Sequence, residues 1–195
     1  MATRRAASLT APLLGAAVFW LLALPAPAPA ELRISNLSVF LNDFDVTVQV
    51  VLLGAVPANL HESLQTGIAT HVRYQVELWQ YNRFLPDRRV ASRRTVERQI
   101  TYSVLTKEYK VVPVRGEQHE PYLTKDLREA QRVVSELRVG NLAAASSLNP
   151  RELYYVRVRS DVSLGGVNSW IARFTGEAEE TGWVRSDLLT VTRSQ

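Results

Sequence analysis

No cysteine occurs among the 195 residues. That excludes disulfides, thiolate metal sites, cysteine nucleophiles and a lipid-bearing cysteine at a processing site. Lysine is almost missing as well: Lys107, Lys110 and Lys125 stand alone in a basic complement that is otherwise arginine. Histidine is confined to His61, His71 and His119. Past residue 30 no apolar run approaches the ~18 uncharged residues of a spanning helix, so the rest of the chain is expected to be a soluble domain. No internal repeat of useful period is present.

What is present begins with an address. Arg4 and Arg5 precede an apolar run from Leu9 to Leu24, followed by Pro25-Ala26-Pro27-Ala28-Pro29-Ala30. A basic start, an apolar middle and a small-residue end read as a secretory signal peptide over residues 1–30, cut before Glu31. Thr3, Ala6 and Ala7 fit a twin-arginine signal poorly, so general secretion is the expected route. Retention of the segment as an inner-membrane anchor is the alternative. Residues 31–195 are then one exported domain, long enough to bury a core of its own. The formal charge of +4 owes half its value to Arg4 and Arg5. The remaining near-balanced domain lacks the footprint of a nucleic-acid binder.

The domain alternates like strands. Leu32 to Leu41 is the first, with a slip in its alternation near Asn36. Phe44 to Leu53 places Val46, Val48, Val50 and Leu52 on one side. Ile68 to Arg83 places Val72, Tyr74, Val76 and Leu78 on one side and His71, Arg73, Gln75, Glu77, Trp79 and Tyr81 on the other. Val90 to Tyr102, Glu108 to Val114, Glu152 to Leu164 and a final segment within Thr181 to Thr192 complete the strands. Two helices are expected. One runs from Pro57 to Thr66, with Gly67 as its stop. The other runs from Leu123 to Arg138, capped by Thr124 and ended by Gly140, with Leu127, Ala130, Val134 and Leu137 in one stripe. Short connections favour antiparallel pairing. The expected fold is mainly β (α+β): an antiparallel β-sandwich, or a curved sheet with two short helices packed on it.

With these elements placed, a likeness emerges. Its residues are the short helix ending at Gly67-Ile68, Tyr74-Gln75-Val76-Glu77-Leu78-Trp79, and Arg98-Gln99-Ile100-Thr101-Tyr102. These lead on to Leu105-Thr106-Lys107-Glu108-Tyr109-Lys110-Val111 and Tyr155-Val156-Arg157-Val158-Arg159. In order and spacing the chain resembles, over residues 32 to 164, an exported Gram-negative family of unknown function, number forty-three ninety. Its members are sometimes titled proline-rich signal peptide proteins. The likeness implies a periplasmic location and, from the sensor-kinase genes often beside its members, a link to envelope signalling. It offers no catalytic residue, cofactor or substrate.

The residues themselves carry no catalytic signature. His61-Glu62 lacks the second histidine one turn on that a zinc protease helix requires. Neither a Gly-x-Ser-x-Gly elbow nor a Ser-x-x-Lys pair occurs. Asp43/Asp45 and Glu179/Glu180 fall where turns and solvated loops are expected. Glu77 and Glu97 lie on strands bearing Arg73, Arg93 and Arg94, so cross-strand ion pairs are their plain reading. No catalytic residue, metal site or cofactor is therefore assigned.

One surface stands out. Arg83, Arg88, Arg89, Arg93 and Arg94 cluster, with Arg98, around the hairpin that follows Trp79, Tyr81 and Phe84. Guanidinium groups beside aromatic rings suit a protein, acidic-polymer or headgroup contact; the plainer alternative is a solvated hairpin whose charges discourage edge pairing. Trp79, Tyr81, Arg83, Arg88, Arg89, Arg93 and Arg94 are the candidate binding surface of a non-catalytic periplasmic interaction domain. Its expected partner is an envelope protein, not nucleic acid, with membrane contact only through the signal or anchor segment. A small-ligand carrier lined by Tyr74, Trp79, Tyr102, Tyr154 and Tyr155, and a membrane-anchored accessory subunit, are the alternatives.

Overall fold

The structure is a computed structural model and describes residues 31–41, 44–91, 93–165 and 178–191. The expected signal peptide, Asp43 and the chain end beyond Val191 lie outside the described residues.

In chain order the strands are β1 (Arg33–Leu41), β2 (Val46–Leu53), β3 (Thr70–Tyr81), β4 (Arg88–Arg89), β5 (Arg94–Ser103) and β6 (Glu108–Arg115). There follow β7 (Tyr122–Thr124), β8 (Glu136–Val139), β9 (Leu153–Leu164), β10 (Ala178–Glu180), β11 (Val184–Arg185) and β12 (Leu189–Thr190). Among the described residues two α-helices interrupt them, α1 (Ala58–Gln65) and α2 (Leu127–Ser135). A small sheet runs β1–β2–β8, and a large one runs β10–β9–β3–β5–β6–β7, with β11 and β12 also on β9 and β4 on β3. Every pairing is antiparallel, as the alternation predicts.

Period-two patterning decides which side chains meet. Val72, Tyr74, Val76 and Leu78 of β3 have no exposed surface at all. They share one apolar core with Val46, Val48 and Val50 of β2, Val96 and Ile100 of β5, and Val156, Val158 and Val162 of β9. The slip near Asn36 is a β-bulge between Ile34 and Asn36. The extra residue lets Ile34 and Leu37, at odd spacing, join Val39 and Leu41 against the core. A second bulge falls between Glu97 and Arg98, where the partner residue is Pro113, which has no N–H to give to the ladder.

Helix α1 buries Leu60 and Leu64, and Pro57 takes the N-cap place one residue before the expected first turn. It closes at Gly67, whose φ of +93° suits glycine. Gly67 N–H donates to Leu64 (2.9 Å) and Ile68 N–H to Ser63 (3.0 Å), the paired bonds of a Schellman stop.

The second helix is shorter than the expected Leu123 to Arg138, for identifiable reasons. Residues 122–124 pair with β6 as β7, so the cap is Asp126, whose carboxylate accepts from Arg128 N–H at 2.9 Å. Thr124, the expected cap, instead donates to Glu129, which also accepts from the Tyr122 hydroxyl. At the other end Leu137 and Val139 alternate inward as β8, opposite Val50 and Val48. The last helical carbonyls find partners on the large sheet. The Tyr74 hydroxyl donates to Val134 (2.7 Å), and Arg98 donates to Val133 (2.6 Å) and Glu136 (2.7 Å). Gly140 therefore ends a strand, not the helix.

Other boundaries shift too. The strand expected over Val90 to Tyr102 starts only at Arg94, as β5, and the short β4 lies just before the expected start. Glu179 and Glu180, expected in a solvated loop, lie on β10. The late strand expected within Thr181 to Thr192 becomes the two short pieces β11 and β12 along β9.

Candidate interaction surface

The outward face of the large sheet is built by the residues that alternate with the core. Cross-strand partners there include Glu77 opposite Arg157, Trp79 opposite Tyr155, Gln75 opposite Arg159, and Arg73 opposite both Glu97 and Asp161. Opposite charges thus face one another directly, the arrangement that stabilises a sheet surface.

Glu77 is the hub. Its side chain is fully buried although it points away from the core. Arg93 Nε donates to Oε1 at 2.6 Å, with Arg89 at 3.4 Å, while Arg157 Nε (2.7 Å) and Trp79 Nε1 (2.9 Å) donate to Oε2. Burial alone would raise the Glu77 pKa; the bonds from Arg93, Arg157 and Trp79 outweigh it and hold the group at about 2.

A roof of stacked rings and guanidinium groups covers this hub. Arg157 lies between Trp79 and Trp183, its guanidinium carbon 4.1 Å and 4.4 Å from the two ring centroids. Trp183 also receives Arg159 at 5.0 Å and Arg93 at 5.9 Å. Arg185 sits 3.7 Å from the Tyr155 ring and 5.5 Å from that of Tyr81. Each contact is a cation over a π face, and those of Arg157 and Arg159 are strengthened because these side chains are partly withdrawn from water. Toward the other end of β3, His71 and Arg73 share Glu97 (2.8 and 3.2 Å), and Arg159 binds Glu180 at 2.5 Å. Burial opposes ionisation of Glu97 too, but the bonds from His71 and Arg73 pull its pKa below the usual carboxylate range.

Of the predicted surface, Trp79, Arg89 and Arg93 meet at Glu77, and Tyr81 joins through Arg185. Arg83 and Arg88 lie at the β3–β4 turn, Arg88 held by Gln80 at 2.9 Å. Arg94 is exposed and falls in phase with Val96, on the core side of β5, whereas Arg93 reaches Glu77 on the outward face. Arg98, counted with this cluster from its spacing, belongs to the core side: it is buried, and Glu117 receives two of its N–H groups at 2.7 Å. Missing from the predicted surface were Arg157, Arg159, Trp183 and Arg185. The first two were legible as outward positions of β9; the other two depend on the tail folding back, which no local pattern announces.

The histidines are dispersed, His61 on Gln65, His71 on Glu97 and His119 beside Glu117. Among the described residues no group of three histidine, aspartate or glutamate side chains is placed to hold a metal ion. Tyr74 and Tyr154 are core members, with the Tyr154 hydroxyl accepting from Asn149 N–H at 2.9 Å. Grooves of about 290 and 320 Å³ lie along β2, β8 and α2, away from these aromatics. No helix of the described residues is long and apolar enough to cross a membrane.

Residues 30–174 match the family described as Domain of unknown function (DUF4390), and the chain belongs to it. No curated protein and no solved structure matches the chain.

Proposed function

We propose that this member of a family of unknown function is a non-catalytic domain exported to the periplasm, where its arginine–aromatic sheet face binds an acidic envelope protein. The observation that carries the reading is the convergence of Arg89, Arg93 and Arg157 on the single carboxylate of Glu77. Three cations on one anion leave an excess of positive charge, and the bonds that produce it also fix the side chains. Ordering long arginines on association normally costs about 0.5–1.5 kcal/mol each; here much of that ordering precedes any partner. Arg89 and Arg93 stay nearly half exposed, and the exposed Trp183 ring lies under Arg93. Rigid aromatic anchors next to bidentate donors are what interface centres favour.

Export is supported by the Arg4-to-Ala30 pattern. A role accessory to an envelope or sensor-kinase system follows the family likeness. In-cell crosslinking followed by mass spectrometry tests the reading, with the wild type beside Arg89→Gln and Trp183→Ala. Loss of a partner whose contact surface is rich in Asp and Glu is expected in both variants. Identical neighbours for all three proteins would remove this face from the function. Recovery of a Glu31 start from the periplasm supports export and cleavage; Met1 retained in the membrane fraction favours the anchored form.

A further inference from the structure

The turn between β3 and β4 exposes two consecutive large apolar side chains, Phe84 at 87% and Leu85 at 68%. They are held out by construction. The Asn82 side-chain oxygen accepts from both Phe84 N–H (3.0 Å) and Leu85 N–H (3.1 Å). Asp87 closes the turn, taking Asn82 N–H at 2.9 Å on one oxygen and the Tyr155 hydroxyl at 2.8 Å on the other. Fastened at both ends, the turn has little freedom to fold Phe84 or Leu85 back onto the sheet.

Cations ring the base of this tip. The Arg83 guanidinium lies 5.6 Å from the Phe84 ring centroid, Arg88 is held on Gln80, and Arg185 stacks on Tyr155 beside Tyr81. From this geometry we infer that the Phe84–Leu85 tip docks on an anionic phospholipid surface, its two apolar side chains entering the acyl boundary and Arg83 and Arg88 meeting phosphate groups. An exposed apolar pair on a turn, flanked by Arg83 and Arg88, favours a bilayer over a protein pocket. Interfacial binding adds attraction of cations to anionic headgroups to the burial of apolar area. The molecule carries its own comparison. The β5–β6 turn exposes Val104 and Leu105 at 60% and 95%, yet the charges that follow them in the turn are Lys107 and the opposing Glu108. Hydrophobic exposure is similar at the two turns; the basic collar is not.

Co-sedimentation of the purified protein with phosphatidylcholine vesicles, with and without phosphatidylglycerol, tests the inference. Every variant carries the same N-terminal segment, so differences report the turn. Phe84→Ser with Leu85→Ser should lower partitioning onto anionic vesicles by about tenfold or more. Arg83→Gln with Arg88→Gln should lower it by about tenfold and erase the preference for phosphatidylglycerol. Leu105→Ser should match the wild type. Circular dichroism confirms that these surface variants fold. Equal binding by all four proteins overturns the inference, as does a Leu105→Ser loss equal to that of the Phe84/Leu85 pair. Unchanged vesicle binding by the Phe84/Leu85 variant, with loss of a crosslinked protein neighbour, assigns the tip to a protein and overturns it too. Failure of the Arg89 and Trp183 crosslinking experiment leaves this result standing, because those residues lie on the sheet face and not at the tip.

Discussion

Arg157 and Glu77 stand directly opposite one another on β9 and β3, 80 residues apart in the chain, joined by a 2.7 Å bond from Nε to Oε2. The buried carboxylate at this contact stays charged because its donors surround it, and that has a pH signature.

Glu77 titrates at about 2 in the folded protein against 4.5 in its ordinary state. A depressed folded-state pKa contributes stability that is fully present above the unfolded value and is lost as pH falls through the folded one. Denaturant midpoints should therefore hold steady near neutrality and decline between about pH 5 and pH 2, by on the order of 2–3 kcal/mol. Glu97, also depressed, adds to the same acid limb. Glu77→Gln should lower stability at neutral pH and flatten the acid limb. A variant with an unchanged limb would show that this carboxylate is not what titrates.

Tyr74 and Arg98 close the end of α2 from across the core. Arg98→Ala removes a buried guanidinium that serves two backbone carbonyls and the part-buried Glu117, an expected loss of about 3 kcal/mol. Tyr74→Phe removes one hydroxyl and should cost about 1–2 kcal/mol. The two act on one helix end, so the double variant should depart from additivity. Urea denaturation of the four proteins measures it.

Trp183 and Arg157 should be coupled. A double-mutant cycle with Trp183→Ala and Arg157→Ala is expected to return about 0.5–1 kcal/mol for the stack. The cycle is needed because Arg157 also serves Glu77 and Trp79, and its single loss mixes all three contacts. A coupling indistinguishable from zero would mean that the tail ring only covers the surface.

Two glycines should behave oppositely. At Gly116 a Cβ would lie 2.4 Å from the Thr95 carbonyl oxygen and the φ is +81°, so Gly116→Ala should cost several kcal/mol by forcing backbone apart. At Gly182 nothing lies within 4 Å of the added carbon. Gly182→Ala should leave the melting temperature within a degree or two, since surface changes away from special features are within about 0.5 kcal/mol.

The sequence and the structure agree where a side chain's fate is set by its immediate neighbours. Alternation in β2, β3 and β9 is strict enough that inward and outward faces can be written down from the residues alone. Even the irregularity at Asn36 is visible there as a change of phase. Agreement fails where a distant element decides. Leu137 continues the α2 stripe on paper, yet β2 offers it a strand partner, and the helix end needs donors that only Tyr74 and Arg98 supply. Arg98 looks like one more surface cation because its partners, Glu117 and the helix carbonyls, arrive from elsewhere. The arginines of the binding surface are legible as charges after a hairpin. Their organisation around Glu77 is not, because Arg157 and Trp183 reach it through pairing of β3 with β9 and of β9 with the tail.

That tail has a last effect. On the side away from β3, the 12-residue β9 is bordered by the fragments β10, β11 and β12, and at the far side of the sheet the final strand is only the 3-residue β7. A second molecule approaching in register would find a broken seam instead of a continuous row of free amides and carbonyls. Shortening the chain to Gly165 would strip that seam and leave the outer edge of β9 as a continuous template for pairing.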